Sequence, residues 1–512
     1  MADPSKAQEA IASHRDAEHV DDTDTAKIEA AVDTVHNDEA MKVLASYSGP
    51  QDWTEEEEKV VRRKIDKRLL WILCVTYGLQ YYDKSMLSQA AIFGLRTDLD
   101  LTGDRYSMSA SIFYLGFIGG SYPAMWLMQH YAIEKVATAI VAVWGLCLAL
   151  TAACHNFQAL YAQRFFLGFF EAGVSPMFMM IVGQFYRKNE QAFRIGIWYC
   201  CTGYAIIFAP LINYGLGHIT GRWSPWRYMY IFAGCLTIVW SLVIYFFLPP
   251  DPIRAKGFTE RQRYIAVARL QQNNSGVRNT HFKASQAIEC LLDIKFWLAF
   301  SISFLILIAN GPASSFVPII ISQFGYDVFR SLLLTTPMGA VAGTMQLAVS
   351  YAAYKYKNIR SWLVIGTEMT TIVAALLLWL LPRDGSLGAL LFACYILCGF
   401  GAAYPILMGL TLANTAGYTK RTVNSAGIFI GYCAGNFLGP LLFKPEDAPR
   451  YASGFLTVVI TGIVGVLLMV VYRYVCVWDN HRRDRSGVLE AYEHAYEDDL
   501  TDRKNPQFRY VL

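Results

Sequence analysis

The stretch Tyr81-Tyr82-Asp83-Lys84-Ser85 lies inside an otherwise apolar run from residue 69 to about residue 95. A helix rises about 1.5 Å per residue, so a run of this length crosses a bilayer core of about 30 Å. Asp83 and Lys84 are therefore predicted at membrane depth. An ionisable side chain there costs at least about 2.5 kcal/mol and must face a protein partner or a watered cavity. The alternative is that the helix ends near Tyr82 and both charges are in water.

Composition indicates a membrane protein. Of the 512 residues, 54% are hydrophobic and 17% are charged, whereas soluble proteins carry about 25% charged residues. The sequence predicts an all-α membrane protein with twelve transmembrane helices, because twelve apolar segments are long enough to span a bilayer. These spans, numbered one to twelve, cover residues 69–92, 107–129, 133–154, 157–186, 192–216, 226–248, 296–323, 331–354, 361–382, 387–412, 422–443 and 451–476.

The spans form two sets of six, separated by a polar segment that opens with Pro249-Pro250-Asp251-Pro252. This arrangement resembles the major facilitator fold, in which the substrate site lies near the midplane between two halves. Lys and Arg cluster before span one, between spans six and seven, and after span twelve, so the linker and both termini are predicted to be cytoplasmic. The predicted regions are a disordered tail (1–53), an N-terminal half with a leading amphipathic helix (54–248), a linker (249–295), a C-terminal half (296–478) and a second tail (479–512).

Two capping boxes predict where helices begin in the polar segments. Thr54 and Glu57 have the required spacing before span one, and Thr259 and Gln262 have it in the linker. The predicted linker helix is short and basic, and we expect it to lie on the inner membrane surface. The first fifty residues are polar and contain no apolar core of a cleavable signal peptide, so span one is expected to direct insertion.

Span four contains the second group of charges, in Arg164-Phe-Phe-Leu-Gly168-Phe-Phe-Glu171. Arg164 and Glu171 are seven residues apart, so they share a helical face but lie about 10 Å apart along the axis. Each therefore needs a partner on another helix. Counted from the membrane faces, Asp83 and Arg164 lie at similar depth and could pair, which leaves Lys84 and Glu171 to bind or titrate. The alternative is a purely structural network of buried charges.

Several motifs resemble those of the fungal allantoate permease family, which belongs to the anion:cation symporter branch of the major facilitators. The resemblance covers about residues 55–512. It implies proton-coupled movement of small organic anions, such as allantoate, nicotinate and other ureido or vitamin-like acids. The matching motifs are Tyr81-Tyr-Asp-Lys-Ser-Met-Leu87, Tyr106-Ser107 with Ser111-Ile-Phe-Tyr114, Arg164 with Gly168, Glu171 and Pro176, Asn414-x-x-Gly417-x-Thr419-Lys420-Arg421, and the C-terminal Asp499-Leu-Thr-Asp502-x-x-Asn505-x-x-Phe508-Arg-Tyr510.

The resemblance also implies roles for four charged residues. Asp83 and Glu171 correspond to the acids that bind protons in bacterial relatives of the branch. Lys84 and Arg164 would supply positive charge to the carboxylate of the substrate. Many family members have Arg after the span-one Asp, whereas this chain has Lys84. An ammonium is a point charge and lacks the two-pronged donor geometry of a guanidinium.

Other polar residues at membrane depth are weaker candidates. Tyr81, Tyr114, Tyr404 and Asn414 are predicted to line the substrate cavity, with Asn310 and Asn436 as further possibilities; the alternative is that they only satisfy neighbouring backbone groups. Glu368 in span nine is expected to reach the cytoplasmic surface with its side chain. The eleven Cys residues show no paired C-x-x-C spacing, so neither a metal site nor a disulfide is predicted.

The sequence favours a secondary active transporter, a symporter of protons and a small organic anion. No phosphate-binding glycine loop is present, so neither ATP nor any other cofactor is expected, and no constellation for an enzyme or for nucleic-acid binding was found. The alternatives are an exporter of a fungal secondary metabolite and a non-transporting nutrient receptor. We expect a monomer in the plasma membrane whose partners are the substrate, protons and the lipid bilayer.

Overall fold

The computed structural model describes residues 47–50, 52–252, 254–255, 257–271, 283–356, 358–382, 385–487 and 500–512. The predicted disorder of residues 1–46 lies outside this part of the chain. Tyr47 stacks on Tyr264 with ring centroids 4.4 Å apart, and Trp53 packs edge-on against the same ring. Packed structure therefore begins before the predicted boundary at residue 53.

Span one belongs to a helix that runs from Glu55 to Ala90. Its start confirms the first capping box, because Thr54 Oγ1 accepts from the amide of Glu57 at 3.3 Å and Glu57 Oε2 accepts from the amide of Thr54 at 3.1 Å. The helix continues through Asp83 and Lys84, so the alternative that it ends near Tyr82 is wrong. Both charges therefore lie within the span.

Helices occupy all twelve predicted spans. Spans four, seven, eight and ten are each divided by a short irregular or non-α turn. In the N-terminal half the helices are Glu55–Ala90, Arg105–His130, Ile133–Leu150, Phe157–Glu171 with Val174–Phe185, Lys188–Gly217 and Pro225–Phe247. In the C-terminal half they are Ile294–Leu307 with Val317–Ser322, Val328–Leu333 with Thr336–Lys355, Arg360–Leu380, Leu387–Ile396 with Phe400–Ala413, Tyr418–Leu441 and Ala452–Arg485.

Length and hydropathy alone identify nine helices of the described chain as able to cross a membrane. The helices of spans one, two and eleven are outside this group, because polar and charged side chains are distributed along them. Each is nevertheless long enough, since the shortest has 24 residues and would extend about 36 Å. The structure is therefore consistent with the twelve-span prediction.

Spans two and seven, and spans five and eight, are among the elements that join the two halves. Tyr106 at the start of span two donates to the carbonyl of Ser315 in span seven at 2.6 Å. This contact lies at the ends of the spans opposite to Tyr47 and Leu512; we call the end that carries Tyr47 and Leu512 the terminal side. Near the middle, spans five and eight approach so closely that a Cβ on Gly203 would be 2.1 Å from the amide nitrogen of Gly343. The halves are thus in contact near the middle of the spans and on the side opposite to the termini.

The linker helix, Glu260–Gln271, is fixed to the N-terminal half by buried charges. Its Arg269 lies 3.9 Å from Glu58 and 3.5 Å from Glu190, and it donates to the carbonyl of Phe185 at 2.7 Å. The prediction that this helix lies on the membrane surface is therefore wrong. Its residues 264–269 are buried against protein, so this face of the helix is not available to lipid.

The capping box of the linker helix and a second charged contact support the same placement. Thr259 Oγ1 accepts from the amide of Gln262 at 3.2 Å, which confirms the predicted box. Arg261 contacts Glu57 at 2.7 Å. Hydrogen bonds from Arg261 and from the backbone of Thr54 lower the pKa of Glu57 to about 2. Glu57 therefore remains ionised at neutral pH, and this attraction is lost only as the pH falls from about 4.5 towards 2.

Close packing of spans two and four sets the position of the charges in span four. A Cβ added to Gly168 would be 2.0 Å from the carbonyl oxygen of Phe113, a distance that no side chain can adopt without displacing the backbone. Small residues let transmembrane helices approach in this way. Because Gly168 lies between Arg164 and Glu171, the contact places both of them against span two.

We expect Gly168→Ala to destabilise the protein by about 1–3 kcal/mol, the usual cost of an overpacked interior. The matched control is Gly366→Ala in span nine, where an added Cβ would meet nothing within 4 Å. There the better helix propensity of alanine should leave stability unchanged or slightly higher. Thermal unfolding of the purified protein in detergent measures both. Equal unfolding midpoints for the two variants would contradict the close contact.

Candidate functional site

Lys84 of span one and Glu171 of span four form an ion pair at the centre of the N-terminal half. Their Nζ and Oε1 atoms are 3.5 Å apart, and the side chains are 16% and 0% exposed. Both carboxylate oxygens of Glu171 lack a hydrogen bond within the described residues. The pair is therefore a loose electrostatic contact, and Lys84 retains access to space outside it.

Aromatic rings and one amide surround this pair. The Lys84 ammonium lies 5.1 Å from the ring centroid of Phe117 and 5.7 Å from that of Phe113, both in span two. Such positions over ring faces stabilise a cation. The side chain of Gln80, one helical turn before Lys84, is close to Glu171, although its Nε2 makes no hydrogen bond. Among the described residues, Glu171 is thus the one charged acceptor that contacts this cation.

Asp83 and Arg164 do not pair with each other, which corrects the expectation from their similar depth. Asp83 Oδ2 accepts a hydrogen bond of 2.7 Å from Nε1 of Trp144 in span three. Arg164 Nε donates to the carbonyl of Ser109 at 3.4 Å, and its guanidinium lies 5.4 Å from the ring centroid of Phe113. The two side chains face different helices, so depth alone does not bring them together.

One polar atom on each of these buried side chains has no partner among the described residues. Asp83 Oδ1 and Arg164 Nη1 make no hydrogen bond, although both residues are buried. An unsatisfied buried polar group costs about 1–3 kcal/mol, and more when it is charged. At membrane depth, such charged atoms without a partner are candidates for binding an ion or a proton.

A cavity lies between the two halves beside this cluster. Its volume is about 40 Å³, measured over the positions that the centre of a water molecule can take. One water needs roughly 10–15 Å³ by this measure, so only a few waters fit in this conformation. None of the described lining residues is charged, and many are aromatic or carry amides. The lining residues are Tyr81, Tyr199, Thr202, Gly203, Ile206, Leu307, Asn310, Met338, Ala342, Gln346, Cys398, Phe400, Gly401, Tyr404 and Tyr432.

Tyr114 lies between the charged cluster and the cavity. Its hydroxyl accepts a hydrogen bond of 3.3 Å from Asn310, which in turn donates to Asn436. The ring of Tyr432 lies 6.3 Å from that of Tyr114 and 4.8 Å from that of Tyr404. Of the predicted cavity residues, Tyr81, Tyr404 and Asn310 therefore line the cavity, and Tyr114 links it to the charges.

Asn414 lies far from the cavity, which corrects its predicted position. It is the residue that ends span ten on the terminal side, and its side chain bonds to the backbone of Val511. The sequence places it just beyond the end of span ten and gave no information on the segment that contacts it.

Glu368 also differs from expectation. It does not reach the surface, because it is only 2% exposed, and its Oε2 makes no hydrogen bond within the described residues. A Cβ on Gly462 of span twelve would lie 3.2 Å from its Oε1. The small glycine thus leaves room for the carboxyl between spans nine and twelve.

Several site residues were missed by sequence reasoning. Gln80 precedes Lys84 by four residues, and this helical spacing could have identified it. Trp144 and the pair Thr202 and Gln346 gave no such signal. The Thr202 hydroxyl donates to Gln346 Oε1 at 3.0 Å across the interface between the halves, and only the tertiary structure brings spans five and eight together.

Comparison with known proteins is consistent with this architecture. The sequence pattern of the Major Facilitator Superfamily matches residues 73–440. The allantoate permease of Saccharomyces cerevisiae is 32% identical over 93% of this chain and 90% of its own length. An uncharacterised transporter of Schizosaccharomyces pombe is 33% identical over 90% of this chain and 88% of its own length.

A similar fold occurs in a solved structure of much lower sequence identity. The D-xylose-proton symporter has a TM-score of 0.60 at 12% identity, and the match covers 78% of this chain and 96% of that protein. Twelve helical segments in two halves, a cavity between them and these sequence matches agree with one another. The chain belongs to the major facilitator superfamily, as a multi-pass membrane transporter among the fungal transporters related to allantoate permease.

Proposed function

We propose that the protein is a secondary active symporter that moves a small organic anion together with a proton. The observation that carries this proposal is the Lys84–Glu171 pair, a loose buried ion pair beside the cavity between the halves. Charged groups at this depth are retained where they bind ions or carry protons. The similarity to allantoate permease supports an organic anion as substrate.

The charge balance of the cluster favours coupling of one proton to one negative charge. Asp83, Lys84, Arg164 and Glu171 comprise two acids and two bases, so the cluster is neutral when all four are ionised. Binding a monoanion alone would leave a net negative charge in a medium of low dielectric, which is costly. Binding a proton with the anion keeps the site neutral, so binding of either ligand favours binding of the other.

Glu171 and the substrate compete for the same cation in this mechanism. When Glu171 is ionised it neutralises Lys84, and the site has little attraction for an anion. When Glu171 takes up a proton, Lys84 becomes available to the carboxylate of the substrate. Loss of that proton on the other side of the membrane would return Lys84 to Glu171 and release the substrate. Alternating access between the halves then carries both ligands in the same direction.

Asp83 and Arg164 complete the proposed site. Arg164 provides a guanidinium with a free Nη1, which suits a carboxylate because two parallel N–H donors match its two oxygens. Asp83 holds the second proton-binding position, with Trp144 donating to one oxygen and the other oxygen open. In this conformation the open positions of the two residues are not joined to each other.

The uncharged wall of the cavity would contact the remainder of the substrate. Tyr81 and Tyr404 present ring surfaces, and Tyr114 reaches the cavity through Asn310. Aromatic rings and amides suit a planar body with hydrogen-bonding groups, such as a ureido group or a heteroaromatic ring. Allantoate and nicotinate both fit this description. The cavity must enlarge to admit either of them.

We place the protein in the plasma membrane as a monomer, with both termini and the linker in the cytoplasm. The Lys and Arg residues near Lys59, Arg254 and Arg482 support this orientation by the positive-inside rule. The proposed domains are the two six-helix halves, with the linker helix as part of the N-terminal half. Residues 500–512 likewise pack on the C-terminal half.

The first prediction concerns proton coupling. We expect Glu171→Gln to abolish the pH-driven accumulation of substrate while exchange of labelled for unlabelled substrate continues, because the glutamine mimics the protonated acid. The measurement is uptake of labelled allantoate, nicotinate and related carboxylates at two pH values, in cells that lack their own carriers. The control is Glu368→Gln, the same change at a buried carboxyl outside the site, which should leave uptake unchanged. Concentrative uptake by Glu171→Gln would contradict the proposal.

The second prediction concerns the anion-binding cation. Arg164→Ala should reach the membrane but lose uptake more than a hundredfold, since the carboxylate of the substrate would then be buried without this cation, at a cost of about 3–5 kcal/mol. Arg164→Lys should also be severely impaired, because lysine lacks the two-pronged geometry. Arg105→Lys, at a half-buried arginine that lies outside the cluster and contacts Asp100, is the control and should transport normally.

A double variant separates a binding role for Arg164 from a structural one. Arg164→Ala with Asp83→Ala removes both charges, and since the two side chains form no ion pair, uptake should remain lost. Substantial rescue of uptake in the double variant would mean that the two charges only balance each other.

The third prediction concerns orientation. Epitope tags at either terminus, or inserted near residue 274 of the linker, should react with antibody only after the membrane is permeabilised. A tag inserted near Arg222, in the exposed connection between spans five and six, should react in intact cells. The opposite pattern of labelling would reverse the orientation.

A further inference from the structure

Residues 500–512, here called the strap, pack on the terminal side of the C-terminal half. The centre of the contact is Lys420, at the start of span eleven, whose ammonium is surrounded by three carboxylates. It lies 3.1 Å from Glu289, 2.9 Å from Asp293 and 2.8 Å from Asp502. Its side chain is almost completely buried. Asp502 belongs to the strap, so the strap supplies one of the three carboxylates of this charge cluster.

Two asparagines bind the backbone of the strap as an adjacent β-strand would. Asn414 accepts from the amide of Val511 at 2.7 Å and donates to the carbonyl of Val511 at 2.9 Å. Asn480 of span twelve accepts from the amide of Tyr510 at 2.8 Å and donates to its carbonyl at 2.8 Å. Two pairs of hydrogen bonds therefore fix the backbone of the strap at Tyr510 and Val511.

Further contacts connect the strap to other spans of the same half. Arg483 of span twelve donates to the carbonyls of Asp502 and Phe508 at 2.6 and 2.5 Å. The amide of Arg360, at the start of span nine, donates to the carbonyl of Leu512 at 3.1 Å. The strap therefore joins the ends of spans nine, ten, eleven and twelve.

The strap also reaches the helix that leads into span seven, Ala284–Leu291. The Thr501 hydroxyl donates to Glu289 of this helix at 3.1 Å. Gln286 of the same helix accepts from the amides of Thr419 and Lys420 at 3.1 and 3.3 Å. The terminal side of the half is thus joined through one shared set of charges and amides.

The N-terminal half has an equivalent arrangement around Arg269. There the leading helix supplies Glu58, the start of span five supplies Glu190, and the segment after span six, the linker helix, supplies Arg269. In the C-terminal half the leading helix supplies Glu289, the start of span eleven supplies Lys420, and the segment after span twelve supplies Asp502. The same three positions carry a buried ionic cluster in both halves, with the signs of the charges distributed differently.

Electrostatics indicate that Asp293, one of the three carboxylates around Lys420, is ionised at neutral pH. Burial raises the pKa of Asp293, but the adjacent Lys420 and Lys295 outweigh this effect and lower it below its ordinary value. Removal of one partner from such a cluster leaves uncompensated buried charge, which is strongly destabilising. Loss of the strap would therefore affect the ends of five helical segments together.

We propose that residues 500–512 are a conformational strap that holds the terminal side of the C-terminal half as one rigid body. Alternating access requires each half to move as a unit. The motif Asn414-x-x-Gly417-x-Thr419-Lys420 is the docking site of the strap, so its polar residues act on the strap and not on the substrate. The linker helix performs the corresponding task in the other half.

The test separates docking from folding by releasing the strap after the protein has folded. A protease recognition sequence is inserted between residues 487 and 500 of the full chain, and the purified protein is cut in detergent. In the cut protein without further substitutions, the strap should stay bound to the rest of the chain through gel filtration. With Asp502→Ala and Asn414→Ala it should separate. Arg503→Ala, at an exposed strap residue, is the control and should retain the cut strap.

Hydrogen exchange then reports what the strap holds. After its release we expect amide exchange to accelerate at least tenfold in peptides around Arg360, Lys420 and Asn480, with no change around Glu190 in the other half. Unchanged exchange in the C-terminal half after the strap has been lost would overturn the proposal. Equal acceleration in both halves would also overturn it, because it would indicate general unfolding. Immediate loss of the cut strap from the unaltered sequence would exclude stable docking.

Discussion

The cost of placing charge at membrane depth is the constraint on which this structure depends. Span one carries an acid and a base next to each other, and neither can be left facing hydrocarbon. Glu171 of span four pairs with Lys84, and the indole N–H of Trp144 in span three donates a hydrogen bond to Asp83. The close approach of spans two and four at Gly168 keeps these partners in place. The packing of the N-terminal half therefore positions the partners of its buried charges.

The two halves divide the chemistry unequally. The charged side chains of the site all come from spans one and four, whereas the C-terminal half contributes rings and amides such as Tyr404, Tyr432 and Gln346 to the cavity wall. A ligand between the halves would meet positive charge on one side and a neutral, hydrogen-bonding surface on the other. This asymmetry suits a molecule with an anionic group and a planar polar body.

On the terminal side the halves are alike. Each uses the segment that follows its sixth span to complete a buried ionic cluster, with Arg269 in one half and Asp502 in the other. The buried ions are individually costly, and their partners come from segments distant in sequence. Removal of one partner from such a cluster leaves an uncompensated buried charge, so each cluster connects the helix ends that supply its members. A rigid terminal face in each half is what a rocking motion of two bodies requires.

The sequence by itself determined the helical class, the two sets of six spans, both capping boxes and the residues that bear charge at depth. These follow from local properties, because hydropathy, helical period and capping are decided by residues near one another in the chain. Partner choice was decided only by the tertiary structure. Depth along the helices suggested Asp83 with Arg164, but the direction in which each side chain points selected Glu171 for Lys84 and Trp144 for Asp83.

The same limit explains the other differences. Asn414 is a polar residue of the kind that lines cavities, and nothing near it in the sequence reveals that it binds the strap. The linker helix has the composition of a membrane-surface helix, and nothing near it in the sequence reveals the carboxylates that bind Arg269. Glu368 could remain buried because Gly462 of another span leaves room for it. Side-chain direction and contacts between distant segments arise from the packing of helices against one another, and a single sequence carries no direct record of them.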